Sequence, residues 1–346
     1  MKLEALLGTG LPIIQAPMAG VQAGALAIAA SNAGALGSLP CAMLAPDAMR
    51  AELRAIRAGT QRPVNVNFFC HAPPTPSATM ETAWREALAP YYREFGIDPA
   101  AIVAGAGRLP FDSESCALVE EFAPAVVSFH FGLPSEALLA RVRRTGARVI
   151  CSATTVDEAR FLEGHGVDAI VAQGVEAGGH RGLFLTDDLS TQLSTLALVP
   201  QIVRAVRVPV IAAGGIADAA GVAAARALGA SGVQVGTAFL LCPEATTSKV
   251  HRAALSSDAS ARTALTNLFT GRPARGIVNR IMREIGPIGP APAFPLAVSG
   301  IAPLRARAEA AGSGDFSPLW CGQNASGCRV APAATIVAAL AGGLAS

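Results

Sequence analysis

Along the first 240 residues, short apolar runs bounded by Gly, Pro, Asn or Asp alternate with stretches whose apolar positions recur at helical spacing. The runs are PIIQAPM (12–18), ALGSLP (35–40), VNVNFF (64–69), AVVSFHFG (125–132), RVICSAT (148–154), AIVAQG (169–174), PVIAAGG (209–215) and GVQVGTAF (232–239), eight in all. Between them lie AGALAIAASNAG, APDAMRAELRAIRAGTQ, PSEALLARVRRTG, TVDEARFLEGHG and DAAGVAAARALGA. Each pairs a polar, Pro or small-residue start with an apolar stripe and a Gly near its end, the punctuation of a helix.

Strands that read as nearly continuous apolar runs are buried on both faces, which is the property of a parallel sheet covered by helices. Eight strand-helix repeats point to an α/β fold of the TIM (β/α)8 barrel type, with its core over about residues 10–245. An open doubly wound sheet is the alternative, because the pattern does not show closure. Two segments break the rhythm. Residues 70–124 form an insertion after the third strand and carry Trp84, Tyr91 and Tyr92. A C-terminal extension, 246–346, is too long for one closing helix; GPIGPAPAFP (286–295) reads as a loop and TIVAALAGGLA (335–345) as a final helix. We expect a single elaborated barrel domain over 1–346, with a lid subdomain in the extension as the alternative.

Composition narrows the class. The chain is 51% hydrophobic and 15% charged, with a formal net charge of +2, so it can bury a large core but has no field to steer nucleic acid. Lysine occurs only at Lys2 and Lys249, neither within a recognisable motif. The seven cysteines are widely spaced without a C-x-x-C pair, which argues for reduced thiols in a cytoplasmic protein rather than a disulfide or zinc framework. No signal peptide and no membrane span are expected.

In a barrel, chemistry sits at the C-terminal ends of the strands and in the loops that follow. That rule selects Pro17 and Met18, Asn67, His130, Gln173 with Gly178, Gly179 and His180, Gly214 and Gly215, and Gln234 with Gly236 and Thr237. The glycines after the seventh and eighth runs make either tight turns or a phosphate cradle of exposed backbone N–H groups; having them in both loops favours phosphate. Asn67, Gln173 and Gln234 are either satisfied core amides or the polar edge of a ligand site. The segment AQGVEAGGHRG (172–182) is either a hinge or a place where backbone and imidazole meet a ligand. His180, beside two glycines, favours the ligand, while His130 leaves structural and functional roles open. His165 and His251 read as structural and His71 stays undecided. No third ligand with suitable spacing appears, so no metal site is expected.

At these residues the chain resembles the nitronate monooxygenase family, formerly 2-nitropropane dioxygenases. The resemblance rests on PIIQAPMAG (12–20), NVNFFCHAP (65–73), VVSFHFG (126–132), AQGVEAGGHRG (172–182), PVIAAGGIAD (209–218), GVQVGTAFLLCPE (232–244) and ARTALTNLFTGRPARGIVNR (261–280). It implies an FMN-dependent TIM barrel that oxidises alkyl nitronates with molecular oxygen to a carbonyl compound and nitrite. It further implies a flavin ring near Met18, Asn67 and Gln173. Its phosphate would lie on Gly178, Gly179, Gly215, Gly236 and Thr237, with Gln234 beside them, and His180 and His130 would face the substrate. Members of the family carry tyrosines and a lysine in a C-terminal segment near the active site, whereas AFPLAVSGIAPLRARA (293–308) has neither. Substrate identity therefore stays open. The alternatives are an NAD(P)H-dependent flavin reductase acting on quinones or enoyl thioesters, and a non-catalytic FMN-binding barrel; no G-x-G-x-x-G dinucleotide fingerprint is present. A homodimer is compatible with the sequence, which does not fix the oligomeric state.

Overall fold

The computed structural model describes residues 2–102 and 108–344. Its strands are β1 (Ile13–Gln15), β2 (Gly37–Pro40), β3 (Val64–Phe69), β4 (Val126–His130), β5 (Arg148–Ala153), β6 (Ala169–Gln173), β7 (Gly179–His180), β8 (Val210–Ala213), β9 (Gly232–Val235), β10 (Thr263–Thr266) and β11 (Ala274–Ile277). Helices up to the eighth barrel strand are α1 (Leu3–Leu7), α2 (Gly24–Asn32), α3 (Pro46–Gly59), α4 (Ala78–Glu94), α5 (Ser113–Phe122), α6 (Glu136–Arg144), α7 (Val156–Gly164), α8 (Thr195–Ala205) and α9 (Ala219–Ala227). Beyond it come α10 (Lys249–Leu255), α11 (Arg280–Glu284), α12 (Val298–Ala310) and α13 (Ala333–Ala341).

Eight strands pair in parallel in the order β1, β9, β8, β6, β5, β4, β3, β2. The two ends of that order meet at Leu36, whose N–H donates to Ile13 O (2.8 Å) and whose carbonyl accepts from Gln15 N–H (2.9 Å). The sheet is therefore a barrel, and the open doubly wound alternative is set aside. Each of the eight apolar runs carries one of these strands. Except at β2 and β3, the runs extend past the strands at their C-terminal ends, because the residues there belong to the loops of the barrel mouth.

Alternation explains why the runs are nearly continuously apolar. Ile14, Leu36, Val126, Ile150, Val171 and Ile211 fill the interior, with α1 pressing Leu3, Leu6 and Leu7 against them. Their neighbours Ile13, Val127, Val149, Ile170, Val210 and Val233 pack outward under the helices. The outer helices start on side-chain caps: Asp112 accepts from Ser115 N–H, Ser135 from Leu138 N–H, Thr155 from Glu158 N–H, and Asp218 from Gly221 N–H.

The stretch expected as one insertion divides in two. Its last part is α5, which packs between α3 and α6 as a ring helix, whereas α4 leaves the barrel. There Trp84, Leu88, Tyr91 and Tyr92 join Ile281, Met282, Ile301, Leu304 and Phe316 of the C-terminal extension in a second core. Tyr92 Oη donates to Gly300 O (2.7 Å) and Trp84 Nε1 to Ala297 O (3.3 Å). The last helix, α13, then returns to α2, α9 and β1, taking the place of the ring helix that β9 would otherwise supply directly. A three-stranded sheet in the order β10, β11, β7 ties the extension to the barrel mouth, with His180 opposite Ala274 and Gly179 opposite Arg275.

Leu88 is fully buried where α4 meets the extension. Leu88→Ala is expected to lower the free energy of unfolding by about 2–5 kcal/mol in a single transition. An unchanged urea midpoint would show that this second core does not unfold together with the barrel.

Candidate functional site at the barrel mouth

The site grows out of the inward-facing file of each strand. Low in the barrel those positions are apolar except at β3, where Asn65 donates to Ser38 Oγ (3.0 Å); at the top they turn polar, giving Asn67 on β3, Ser128 and His130 on β4, Ser152 on β5, Gln173 on β6 and Gln234 on β9. These side chains border one cavity. Pro17 and Met18 border it after β1, Gly178, Gly179 and His180 after β6, Gly214 and Gly215 after β8, and Gly236 and Thr237 after β9. Every residue selected from the sequence by the strand-end rule is thus brought to the same space. Its volume, open mouth included, is about 1310 Å³.

The segment 173–182 is held rather than hinged. Gln173 Nε2 donates to His180 O (2.9 Å), and Gln173 Oε1 accepts from Gly182 N–H (2.8 Å). Arg181, with none of its surface exposed, donates to Gly174 O and Gln173 O (2.7 Å each) and to Gln192 Oε1 (2.9 Å). Burial lowers the Arg181 guanidinium to about 10. Arg275 Nε takes Val175 O at 2.8 Å. The Glu176 carboxylate turns away to accept from Thr195 N–H and Thr195 Oγ1 at the start of α8 (2.9 and 2.8 Å), where the helix end favours a negative charge. The turn itself needs glycine at 179, where φ is +72°. Gly178 is required for a different reason, because a Cβ there would lie 2.6 Å from Gly322 N.

His130 bridges two partners. Its Nε2 donates to His180 O (3.2 Å), so Nδ1 carries the lone pair and accepts from Ser152 Oγ (2.5 Å). Burial drives its pKa down to about 3, only partly opposed by the bond to His180 O, and the imidazole is neutral. His180 is half-buried and borders the cavity. Phe69, Phe131, Phe294 and Trp320 surround its ring, with centroids at 6.1, 5.9, 5.3 and 5.5 Å. Thr270 Oγ1 lies 2.9 Å from His180 Nε2 and donates to Arg272 O (3.4 Å), so it accepts from Nε2–H and leaves Nδ1 as a lone pair. Burial, then the charges of Arg108, Arg272 and the neighbouring histidines, hold His180 well below the ordinary imidazole value.

Across the cavity the loops after β8 and β9 present backbone donors. Gly214 and Gly215 adopt φ of +122° and +71°. Among the described residues, no backbone carbonyl accepts from the N–H groups of Gly214, Gly215 or Thr237. Thr237 Oγ1 accepts from Gly322 N–H (2.9 Å), and Asn324 Nδ2 donates to Gly215 O (3.0 Å), which fastens the extension to this rim. Asn67 donates to Ser128 Oγ (2.9 Å). Among the described residues no group of three His, Cys, Asp or Glu side chains is placed to hold a metal ion, and no helix is long and apolar enough to cross a membrane.

Sequence reasoning passed over several of these residues. Ser152 is the last residue but one of β5 and satisfies the same positional rule that found Asn67. Thr270, Phe294 and Trp320 carry no such signal, since they reach His180 through the tertiary fold of the extension. The segment 293–308, without Tyr or Lys, places Phe294 against His180. His251 donates to Trp320 O (3.1 Å) and is pushed by burial to about 4; it fastens the tryptophan and does not meet the cavity.

Comparison with known proteins agrees with this architecture. The sequence profile of the nitronate monooxygenase family matches residues 1–343. A nitronate monooxygenase of Paraburkholderia phytofirmans is 45% identical over 338 residues, covering 97% of this chain and 92% of the relative. One from Pseudomonas aeruginosa is 44% identical over 339 residues, covering 97% and 96%. The crystal structure of nitroalkane oxidase from Streptomyces ansochromogenes, 40% identical, superposes with a TM-score of 0.90 over 99% of this chain and 97% of that one. With its fold, its profile and its relatives in agreement over nearly the whole length, the chain belongs to the nitronate monooxygenase family and is an oxidoreductase.

Proposed function

We propose that this chain binds FMN and oxidises small alkyl nitronates with molecular oxygen, yielding a carbonyl compound and nitrite. The observation that carries the reading is the presence, in one cavity, of unpaired backbone donors at Gly214, Gly215 and Thr237 together with a wall made by two neutral histidines. The donors suit a phosphate, with Gly236 leaving room beside Met18: a Cβ at 236 would lie 3.4 Å from Met18 Sδ. Pro17, Met18, Asn67, Gln234, Gly178 and Gly179 border the space left for the flavin ring. The remaining N–H of Gln173, whose other amide contacts hold the turn, is free to meet its polar edge. Bound FMN would supply the electron transfer from nitronate to oxygen.

The protein's own part is to place charge and protons. His180, with Nδ1 as a lone pair, serves as the base that removes the α-proton of a nitroalkane; once protonated it faces the resulting nitronate as a cation. His130 donates to His180 O and keeps that ring in position. The aromatic cage of Phe69, Phe131, Phe294 and Trp320 keeps bulk water off the reacting carbon. All seven thiols are unpaired, which supports placement in the reducing cytoplasm.

His180→Asn is expected to cut kcat/KM on a freshly dissolved nitroalkane by about 100-fold or more, in the range of a lost general base. Equal turnover by wild type and variant would remove His180 from the chemistry. The pH dependence follows from sign: a base works unprotonated, and its pKa is lowered, so the acid-side loss moves below 6.5. Wild-type kcat/KM should therefore stay level from pH 8 through 6.5 and drop only in stronger acid. A fall centred at 6.5 or above contradicts a neutral His180. Gly215→Val forces a β-branched side chain into φ +71° at the proposed phosphate loop. Its purified form should lack the flavin absorbance of the wild type, and a wild type without that absorbance would sink the cofactor assignment.

A further inference from the structure

A second group of charged side chains stands at the same mouth, outside the roles described so far. Arg108, from the end of the stretch after β3, borders the cavity with its guanidinium 5.6 Å from the centre of the Phe294 ring, the ring that also packs on His180. Its Nη1 is buried and has no hydrogen-bond partner among the described residues, where its Nη2 meets Met43 Sδ at 3.6 Å. His71 Nε2 donates to Arg108 O (3.0 Å) and packs edge-on to Phe294 at 4.8 Å, so it fixes the backbone that carries the arginine. Behind the aromatic wall, Arg272 lies 4.1 Å over Phe131; its Nε is also buried without a partner, while Nη2 donates to Leu183 O.

Neither arginine takes part in an ion pair among the described residues. The carboxylates whose charge reaches Arg272 are Asp187, which is exposed, and Glu158, neither at ion-pair distance, and Glu158 and Glu176 are committed elsewhere. Glu158 accepts from Thr154 N–H, Phe184 N–H and Leu185 N–H, and Glu176 from Thr195. Burial weakens the hold of both guanidinium groups on their protons, with no carboxylate at contact to restore it. A guanidinium removed from water without a counter-charge is a large electrostatic debt in any fold unless an anion completes it. The free fork of an arginine matches the planar oxygen pair of a carboxylate or nitronate. The segment 293–308 meets His180 with Phe294, and its Arg305 is paired with Glu309 (2.8 Å) away from the cavity lining, so among the described residues the charge that borders the cavity is that of Arg108.

We propose that Arg108, held by His71 and supported by the field of Arg272, is the specificity-determining residue of this cavity and binds a planar oxyanion of the substrate at the same mouth as His180. The inference rests on the cavity being the substrate site, but on neither the flavin nor the nitronate chemistry. Its effect is to select anionic ligands over neutral ones of the same shape. The planar oxyanion is either the nitronate group itself or a carboxylate elsewhere on the molecule.

The test is calorimetric titration of the purified protein with sodium propionate and with propionamide, its neutral isostere. Wild type should bind propionate and discriminate against propionamide by at least tenfold. Arg108→Met should weaken propionate by at least tenfold without changing the melting temperature, and Arg108→Lys should recover part of the affinity because it keeps the charge. Propionate binding that is absent in wild type, equal in Arg108→Met, or matched by propionamide overturns the proposal. KM measured for 1-propyl nitronate and for propionate 3-nitronate then separates the two sources. A rise for both in Arg108→Met assigns the nitronate oxygens to Arg108, a rise for the second alone assigns the carboxylate, and no rise for either overturns the substrate role. Intact propionate binding by a wild type that turns over no nitronate would fail the proposed function and leave the oxyanion site standing.

Discussion

The mouth of this barrel depends on how the chain leaves β6. Backbone carbonyls at the end of a parallel strand have no further strand to bond, and here Arg181 and Arg275 take three of them in succession, at Gln173, Gly174 and Val175. The Gln173 side chain closes the loop from the other side by holding His180 O and Gly182 N–H. With both ends fixed, Gly179 can take its left-handed conformation and His180 has one place to go. His130 reads the same carbonyl that Gln173 reads, so the two histidines are positioned by one atom of backbone. A full guanidinium buried for this purpose is costly, and carbonyl oxygens in a fixed array are what make it tolerable.

That clamp sets the electrostatics of the site. The acidic groups nearest the cavity are saturated by backbone and hydroxyl donors in structural roles, Glu158 at the loop around Phe184 and Glu176 at the start of α8. Among the described residues no carboxylate is left to hold a proton on His130 or His180. Burial among aromatic rings therefore wins, and both imidazoles are neutral while arginines lie close by. The result is a mouth rich in unused positive charge and hydrogen-bond capacity, facing loops with unpaired N–H groups on its opposite rim.

The segments outside the repeat complete the site. The sheet of β10, β11 and β7 carries Thr270 to His180, and the second core around Trp84 and Ile301 anchors the extension from which Phe294 arises. Trp320 is fixed by His251, and both lie in the extension, far along the chain from the barrel strands whose mouth the tryptophan borders. Four rings around one imidazole thus come from β3, the loop after β4 and two places in the extension.

Much of this was legible in the sequence because it follows from local periodicity. Alternation with period two along strands buried on both faces makes the eight apolar runs, and the strand-end rule led from them to Asn67, His130, Gln173, His180 and the glycines of the last two loops. The division of residues 70–124 into a ring helix and an outer helix was not legible, because α4 and α5 carry similar amphipathic patterns and only their partners differ. Nor was Gln173 as a clamp, since its composition is equally that of a ligand contact. Closure of the barrel at Leu36, the aromatic cage, and the unpaired arginines at 108 and 272 were decided by tertiary structure alone. Pairings between residues far apart in the chain leave no periodic trace in either segment, so the sequence determined which faces had to be buried and the fold decided what they met.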